Sequence, residues 1–420
     1  MNRKKFLATT GATSAALAVP RFTLAAGPAA RVRIGFLESF SGVFSDLGAV
    51  HKAGALLALE DASRRGRVKY EFVFGDDASK PAVATTEAQR LVGQEKVDVL
   101  FGGTSSANGL ATSQFALQNG IFNLEIGPQD SSITGAKASK LTYRFGPNAR
   151  MLLIPVLRRA LALGKKWYFI QADYALGKDA YAQSSAALQR AGGTEAGHDV
   201  LPLGTSDFSS VLTKVQSSGA DLLMLCNSGI DAANTAKQWV QFGLNKKMHL
   251  AGISLEDIYY NAFLLDAVVG ATFPVLWAPS VSPAAEKLAA RLRRGIAGPV
   301  GGRHYLGYMA AWSLFERIEA AGTTDAGKLA AAFADYRFEA AKNSPSVYHG
   351  FDHQCAQDVY GGATISRKQF EQTQFMYEVV ATVPADESDG TAESPWARAA
   401  QQAMAAQNPG TREGYTPKSV

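Results

Sequence analysis

Two stretches far apart in the chain share one order of elements, and that order constrains the fold more than anything else. Residues 31–134 open RVRIGFLESFSGVFSDLG, and residues 165–270 open KKWYFIQADYALGKD. Each begins with a short apolar run rich in β-branched and aromatic residues. Each breaks at Gly, Ser and Asp, then resumes with helical periodicity. Strand, polar loop and helix, repeated twice over, predict two parallel-sheet domains. Open α/β sheets bind ligands at the C-terminal ends of their strands. Two lobes with facing loops therefore form a cleft for a small molecule.

The alternation is regular in both stretches. In the first, strands are expected at 32–37, 70–74, 97–102 and 121–126, with helices at 49–64, 81–94 and 108–119. Tyr143-Arg144-Phe145-Gly146-Pro147 reads as an extended crossover into the second. There, strands are expected at 167–171, 198–203, 222–227 and 249–253, and helices at 178–191, 208–217 and 232–242. Residues 273–279 and 348–354 read as two further extended passages, and 357–365 with 374–382 as a strand pair. Helices through Arg294 and at 305–320 have no sheet of their own, so they are expected to return to the first lobe. The expected domains are 27–147 with 278–350, and 148–277 with 351–384. Beyond Pro384 the composition turns small and polar, and 385–420 reads as a loosely packed tail.

Residues 1–26 read as an export signal rather than part of the fold. Arg3, Lys4 and Lys5 precede an apolar, small-residue segment and the small-residue site Thr23-Leu24-Ala25-Ala26. The order Arg3-Lys4-Lys5 leaves the general and the twin-arginine routes both open. Removing that segment takes Arg3, Lys4, Lys5 and Arg21 from 42 basic side chains, leaving 38 against 37 acidic ones. A nearly neutral mature chain with no basic stripe argues against nucleic-acid binding. No later run is long enough to span a bilayer as a helix. The two cysteines, Cys226 and Cys355, have no CxxC partner. Cys226 ends the apolar run Leu222-Leu223-Met224-Leu225, which reads as a buried strand, so a buried free thiol is expected over a bridge.

The sequence contains no Walker A loop, GxGxxG after a strand, HExxH or GxSxG. His353, between Asp352 and Gln354, reads as structural. Polar loops at strand ends carry the candidate site. Thr104-Ser105-Ser106 precedes a helix whose N-terminus suits an anion such as a carboxylate; the alternative is that the serines only cap the helix. Gly127-Pro128-Gln129-Asp130 lines the same cleft. Phe44 and Tyr174 are placed to close on an apolar ligand from opposite sides, or else pack locally. From the second lobe come Asn227, Ser228 and the loop from Ser254 to Asp257, in which Glu256 is the best partner for a ligand ammonium.

These segments resemble the leucine/isoleucine/valine-binding family of periplasmic receptors for ABC transporters. The likeness covers about residues 31–384. VRIGFLESFSGVFSDLG is similar to the family's first strand and Ser-Gly loop, and GDDASKPAVATTEAQRLVGQEKVDVLFGGTSS to its second and third units. ADYALGKD, GTSDFSSVLTKVQSSGADLLML and QFGL resemble its second lobe, and FDHQCAQDVY a late crossover of one branch. The resemblance implies two doubly wound parallel-sheet lobes joined by a three-crossover hinge, with no cofactor and no enzymatic activity. By position, Ser106 matches the carboxylate-binding serine. Gly127, Pro128 and Gln129 fall where the family has a loop of small and hydroxyl residues that grips an α-amino acid. Pro128 has no N–H to donate, and Gln129 brings a longer amide. Ser228 falls near an aromatic position, and Ser254 or Glu256 near the acidic residue that binds the ammonium.

The expected protein is therefore a periplasmic, monomeric solute receptor. It closes around an amino-acid-like, amide or carboxylate ligand and delivers it to an ABC permease. The departures at 127–129 predict that branched-chain amino acids are not its tightest ligands. The other reading is a ligand-sensing module that signals to a receptor; co-purification with a permease or with a receptor separates the two. An exported hydrolase would need a nucleophile–base pair, and none is evident.

Overall fold

The computed structural model describes residues 30–262 and 265–420, so the export signal expected at 1–26 lies outside the described residues. The chain runs β1 (Arg31–Glu38), α1 (Ser45–Arg65), β2 (Lys69–Asp76), α2 (Pro81–Gly93), β3 (Val99–Gly102), α3 (Ser106–Gln118), β4 (Asn123–Glu125) and β5 (Thr142–Arg144). The five strands are parallel, in the order β2-β1-β3-β4-β5. In β1, Val32, Ile34, Phe36 and Leu37 are all buried, as a strand covered by helices on both faces requires.

The second lobe continues with α4 (Ala149–Leu163), β6 (Lys166–Ala172), α5 (Ala175–Arg190), β7 (Thr194–Leu201), α6 (Ser209–Ser217), β8 (Leu222–Cys226), α7 (Gly229–Gln241), β9 (His249–Gly252) and β10 (Thr272–Val275). Its order, β7-β6-β8-β9-β10, repeats the winding of the first sheet strand for strand. The repeat extends to a Leu-Gly pair in the first turn of the helix after each leading strand. A Cβ on Gly48 would stand 2.0 Å from the carbonyl oxygen of Ser39, and one on Gly177 2.0 Å from that of Ala172. Only glycine lets each helix start this close to its own strand end.

The helix α4 was not expected, because Pro155 interrupts its periodicity. Asn148 caps it, accepting the Met151 N–H at 2.9 Å. The Pro155 ring is accommodated against the bare backbone of Gly361.

Next come α8 (Pro283–Gly295), α9 (Gly302–Ala321), α10 (Ala326–Phe333) and a small antiparallel sheet of β11 (Tyr336–Phe338), β12 (Ser346–Tyr348) and β13 (Cys355–Ala356). Both long helices return to the first lobe. On α1, Asp61 accepts from Arg291 Nε at 3.0 Å and from the Tyr308 hydroxyl at 2.9 Å. Two strands then extend the second sheet: β14 (Val359–Thr364) pairs antiparallel with β10, and β15 (Tyr377–Val383), after α11 (Arg367–Thr373), pairs antiparallel with β14.

Three crossings join the lobes and are bonded to one another. Gln354 Nε2 donates to the Gly146 carbonyl at 3.0 Å and Arg144 Nε donates to Gln354 Oε1 at 2.8 Å, tying the first crossing to the third. Lys342 Nζ donates to Leu276 O at 2.8 Å and Asp358 O at 2.7 Å, tying the second to the third. Burial pushes the Lys342 amine down to about 7. His353 is structural here, stacked on Tyr143 with centroids 3.9 Å apart, and burial pushes it down to about 4.

Residues 385–420 are packed, which corrects the expectation of a loose tail. They form α12 (Ala385–Ser388), α13 (Pro395–Ala405) and a return along the first lobe. Small side chains, which made the segment read as disordered, are what allow close docking: Ala397 and Ala400 are fully buried, and Ala400 packs with Ala138. Arg150 holds the buried Asp389 and stacks its guanidinium 3.8 Å from the Trp396 ring centroid. Lys418 Nζ reaches Asp98 Oδ2 at 2.6 Å, and the last N–H, of Val420, donates to Gly322 O at 2.9 Å.

Candidate functional site

The duplicated winding aims four helix N-termini at one place. Helices α1, α3, α5 and α7 follow β1, β3, β6 and β8, the strands flanking the switch point of each sheet. Their N-cap residues are Phe44, Ser105, Tyr174 and Ser228, and none of these side chains caps its helix. The first-turn N–H groups of each helix thus lack an intrahelical partner. Each N-terminus carries roughly half a positive charge. Asp46 and Asp231 offset part of it from the first turns of α1 and α7. Asp231 is turned to the Gly204 N–H at 2.9 Å, and burial pushes its carboxyl up to about 6.

Between these ends lies an enclosed cavity lined by Phe44, Leu47, Thr104, Ser106, Gly127, Gln129, Tyr174, Leu176, Ser228 and Arg303. Its volume is about 10 Å³, room for one water. The leucines are those of the two Leu-Gly pairs. The Phe44 and Tyr174 rings face each other across the lobes with centroids 6.0 Å apart, and the Tyr174 hydroxyl is 2.6 Å from Ser228 Oγ.

Ser106 neither caps α3 nor stands idle. Its Oγ accepts the backbone N–H groups of Gln129 and Asp130, both at 3.1 Å. A hydroxyl that accepts twice still has its proton to donate, so the loop after β4 orients Ser106 as a donor. Gly127 is where His51 and Arg303 press in: a Cβ there would lie 2.7 Å from Arg303 Nη1 and 2.7 Å from His51 Cε1. His51 is wholly buried, with Nδ1 2.9 Å from Glu38 Oε2 and Nε2 without a partner.

Of the nine residues read from the sequence, six line the cavity: Phe44, Ser106, Gly127, Gln129, Tyr174 and Ser228. Three stand behind it. Ser105 is buried at the α3 N-cap. Asn227 donates through Nδ2 to Thr235 Oγ1 at 3.1 Å, bracing α7. Glu256 is taken up by a residue the sequence reading did not single out. Arg303 Nη2 and Nε lie 2.6 and 3.1 Å from Glu256 Oε1, which also accepts the Ser254 hydroxyl at 2.7 Å. Burial would raise the Glu256 carboxyl, but the Arg303 charge outweighs it and holds the group below its usual range. Burial would likewise lower the Arg303 guanidinium, and the Glu256 charge raises it instead, so both partners are ionised. The signal for Arg303 was there: it follows Gly301-Gly302 at the start of a helix whose next turns, Tyr305 to Ala311, carry no charge.

Behind the cavity, Asp77, Asn108, Asn123 and Glu125 line a second small chamber. Burial pushes the Glu125 carboxyl up to about 7. Burial and the neighbouring Glu38 charge push Asp77 up to about 6. Among the described residues, one group of His and carboxylates is close enough to share a metal ion: His349, Asp352 and Asp389. It lies at the third crossing, and Asp389 is already engaged by Arg150 and His349. Cys226 and Cys355 are both buried and free, and burial pushes both thiols up, so neither offers a thiolate.

Residues 31–368 match the periplasmic binding protein family. The chain belongs to that family. This periplasmic binding protein is 30% identical over 222 residues to Leu/Ile/Val-binding protein homolog 7 of Brucella suis, an alignment spanning 50% of this chain and 55% of that one. The chain thus spans about half the length of that curated relative. A periplasmic binding protein from Burkholderia mallei superposes with a TM-score of 0.80 at 26% identity, covering 87% of this chain and 98% of the other. A solute binding protein of an ABC transporter from Rhodopseudomonas palustris, solved with 4-hydroxybenzoate, superposes with a TM-score of 0.76 at 21% identity, covering 87% and 100%. These matches are binding proteins rather than enzymes. No helix among the described residues is long and apolar enough to cross a membrane.

Proposed function

We propose that this periplasmic binding protein is the exported, monomeric receptor of an ABC importer and that it captures a small molecule bearing a carboxylate. The observation that carries this reading is the convergence of four helix N-termini, without side-chain caps, on one cavity that also holds Arg303. Oriented N–H groups and helix dipoles in a desolvated pocket favour an anion. The hydroxyl of Ser106 adds a donor, and the rings of Phe44 and Tyr174 suit an apolar body. The lobes, taken as 27–147 with 278–350 and 148–277 with 351–384, close about the crossings. A ligand touching both shifts the population toward the closed form, and the permease reads that form.

Solved neighbours with bound benzoates share the fold with this chain at 21% identity, so aromatic acids enter as probes and not as the conclusion. The test is a thermal-shift screen of ligand-stripped protein with short-chain and aromatic acids, each beside its methyl ester and amide. The expected result is that an acid raises the melting temperature and its ester does not. A ligand at 100 times its dissociation constant adds about 2.7 kcal/mol. Equal stabilisation by acid and ester would overturn the carboxylate reading.

A further inference from the structure

The structure assigns Arg303 as the residue that sets the ligand class: by occupying Glu256 it restricts the pocket to carboxylates that lack an α-ammonium group. The inference rests on the carboxylate reading above.

The loop after β9 places a carboxylate at the cleft, and a carboxylate there is the natural partner of a ligand ammonium. In this chain the position is already filled. Arg303, at the second residue of α9, reaches across from the helix docked on the first lobe and makes two contacts with Glu256 Oε1, at 2.6 and 3.1 Å. Both side chains are buried, Arg303 4% and Glu256 7% exposed. That same oxygen also takes the Ser254 hydroxyl at 2.7 Å. An arriving ammonium must either expel a desolvated guanidinium from its counter-ion or share one carboxylate with it at like-charge distance. Around both cations stand the positive ends of four helices. Among the described residues no acid lines the cavity itself, and Glu38 behind it is taken up by His51 at 2.9 Å.

A ligand without an ammonium meets the opposite situation. Arg303 uses three of its five N–H donors, two on Glu256 and one on the Gly127 carbonyl at 3.4 Å. The other two remain for a ligand carboxylate, with the Ser106 hydroxyl on the same cavity wall. The class that fits is therefore simple aliphatic and aromatic carboxylates, including hydroxy and oxo acids, but not zwitterionic amino acids.

The test is calorimetric titration with matched pairs that differ only in the ammonium: leucine against 4-methylpentanoate, and phenylalanine against 3-phenylpropanoate. The wild type is expected to bind the deaminated member of its better pair at least tenfold more tightly. In Arg303→Met, Glu256 is released and that preference should shrink at least tenfold or reverse. Arg303→Lys, which keeps a cation, should retain it. In Arg303→Met/Glu256→Gln the gained amino-acid binding should vanish. Thermal melts confirm that each variant is folded. If Arg303→Met does not fold, the wild-type pairs decide alone: binding of leucine or phenylalanine within threefold of its deaminated partner overturns the inference. Binding of neither member of either pair, nor of benzoate, overturns the carboxylate reading itself and this inference with it.

Discussion

Replacing Ser106 by alanine separates the serine's two jobs. Its Oγ receives two N–H groups from a buried loop, those of Gln129 and Asp130 at 3.1 Å each, and both residues are less than a tenth exposed. Alanine leaves both donors stranded. A buried unsatisfied group costs about 1–3 kcal/mol. Some relaxation of the loop brings the expected loss for the two to roughly 2–4 kcal/mol. At about 2–4 °C per kcal/mol, the melting temperature should fall by roughly 4–16 °C. Affinity should fall separately. On the proposed reading the serine's own proton is the donor to the ligand carboxylate, and a hydrogen bond to a charged group contributes about 1.5–3 kcal/mol, or ten- to a hundred-fold in dissociation constant. Ser106→Thr keeps both functions and should recover most of each loss. Calorimetry with the strongest carboxylate ligand and scanning fluorimetry of the same preparations measure the two effects independently. A lowered melting temperature with unchanged affinity would reject the carboxylate role and leave Ser106 as a brace. Neither value changing would refute the hydrogen-bond geometry.

Leucine, isoleucine and valine should not be the tightest ligands; a branched-chain amino acid that outcompetes every simple carboxylate in a titration panel would reverse this. Glu125→Gln should flatten the dependence of stability on pH. The folded-state carboxyl is pushed up to about 7 by burial, so its contribution is fully present below the ordinary 4.5 and lost as pH rises through 7, by at most about 3 kcal/mol. Parallel melting curves for wild type and variant between pH 4.5 and 7.5 would contradict that. Ending the chain at Pro384 should lower the melting temperature by several degrees, because it strips the buried Asp389 from Arg150 and His349 and the buried Ala400 from Ala138; an unchanged melt would show the segment to be dispensable. Reductant should leave ligand affinity unaltered, since Cys226 and Cys355 are separate buried thiols; a shift abolished by Cys226→Ala would show otherwise.

The fold was legible because its central strands are buried on both faces and therefore stand out as apolar runs: 222–226 is fully buried along its length, whereas no residue of the edge strand β7 is buried. Two parts were not legible, for physical reasons. Pro155 hides α4, because a helix docked on another element tolerates a proline where an isolated one does not. Residues 385–420 carry few large apolar side chains, Trp396, Met404 and Tyr415 among them, and hydropathy alone reads that as a loosely packed tail. The packing is instead by small side chains, Ala400 against Ala138, and by ion pairs whose partners, Arg150 and Asp98, lie more than two hundred residues away. No local pattern carries such information.

The site divides along the same line. Phe44, Ser106, Tyr174 and Ser228 were readable because each lies where the loop after a strand enters a helix, and the winding alone brings the four loops together. The anion-binding character proposed for the cavity is then mostly a property of the backbone. It needs no motif, only helices left without side-chain caps where other helices would have Asp or Asn accepting their N–H groups. Glu256 was readable as an acid at a strand end but not as a neutralised one. Its partner comes from α9, which follows the second lobe in sequence and docks on the first in space. On the inference above, a residue 47 positions away thus decides whether Glu256 serves the ligand or the protein. In a two-lobed receptor this has a mechanical side as well. The Arg303–Glu256 pair spans the cleft, as does the Gly302 N–H bonded to Asp257 Oδ2 at 3.0 Å. The closed form therefore has bonds of its own before any ligand arrives. On the proposed closure mechanism the ligand needs to supply only the difference between the closed form's stability and the open form's, and with both charges already paired inside the chain, that difference is assigned to a carboxylate.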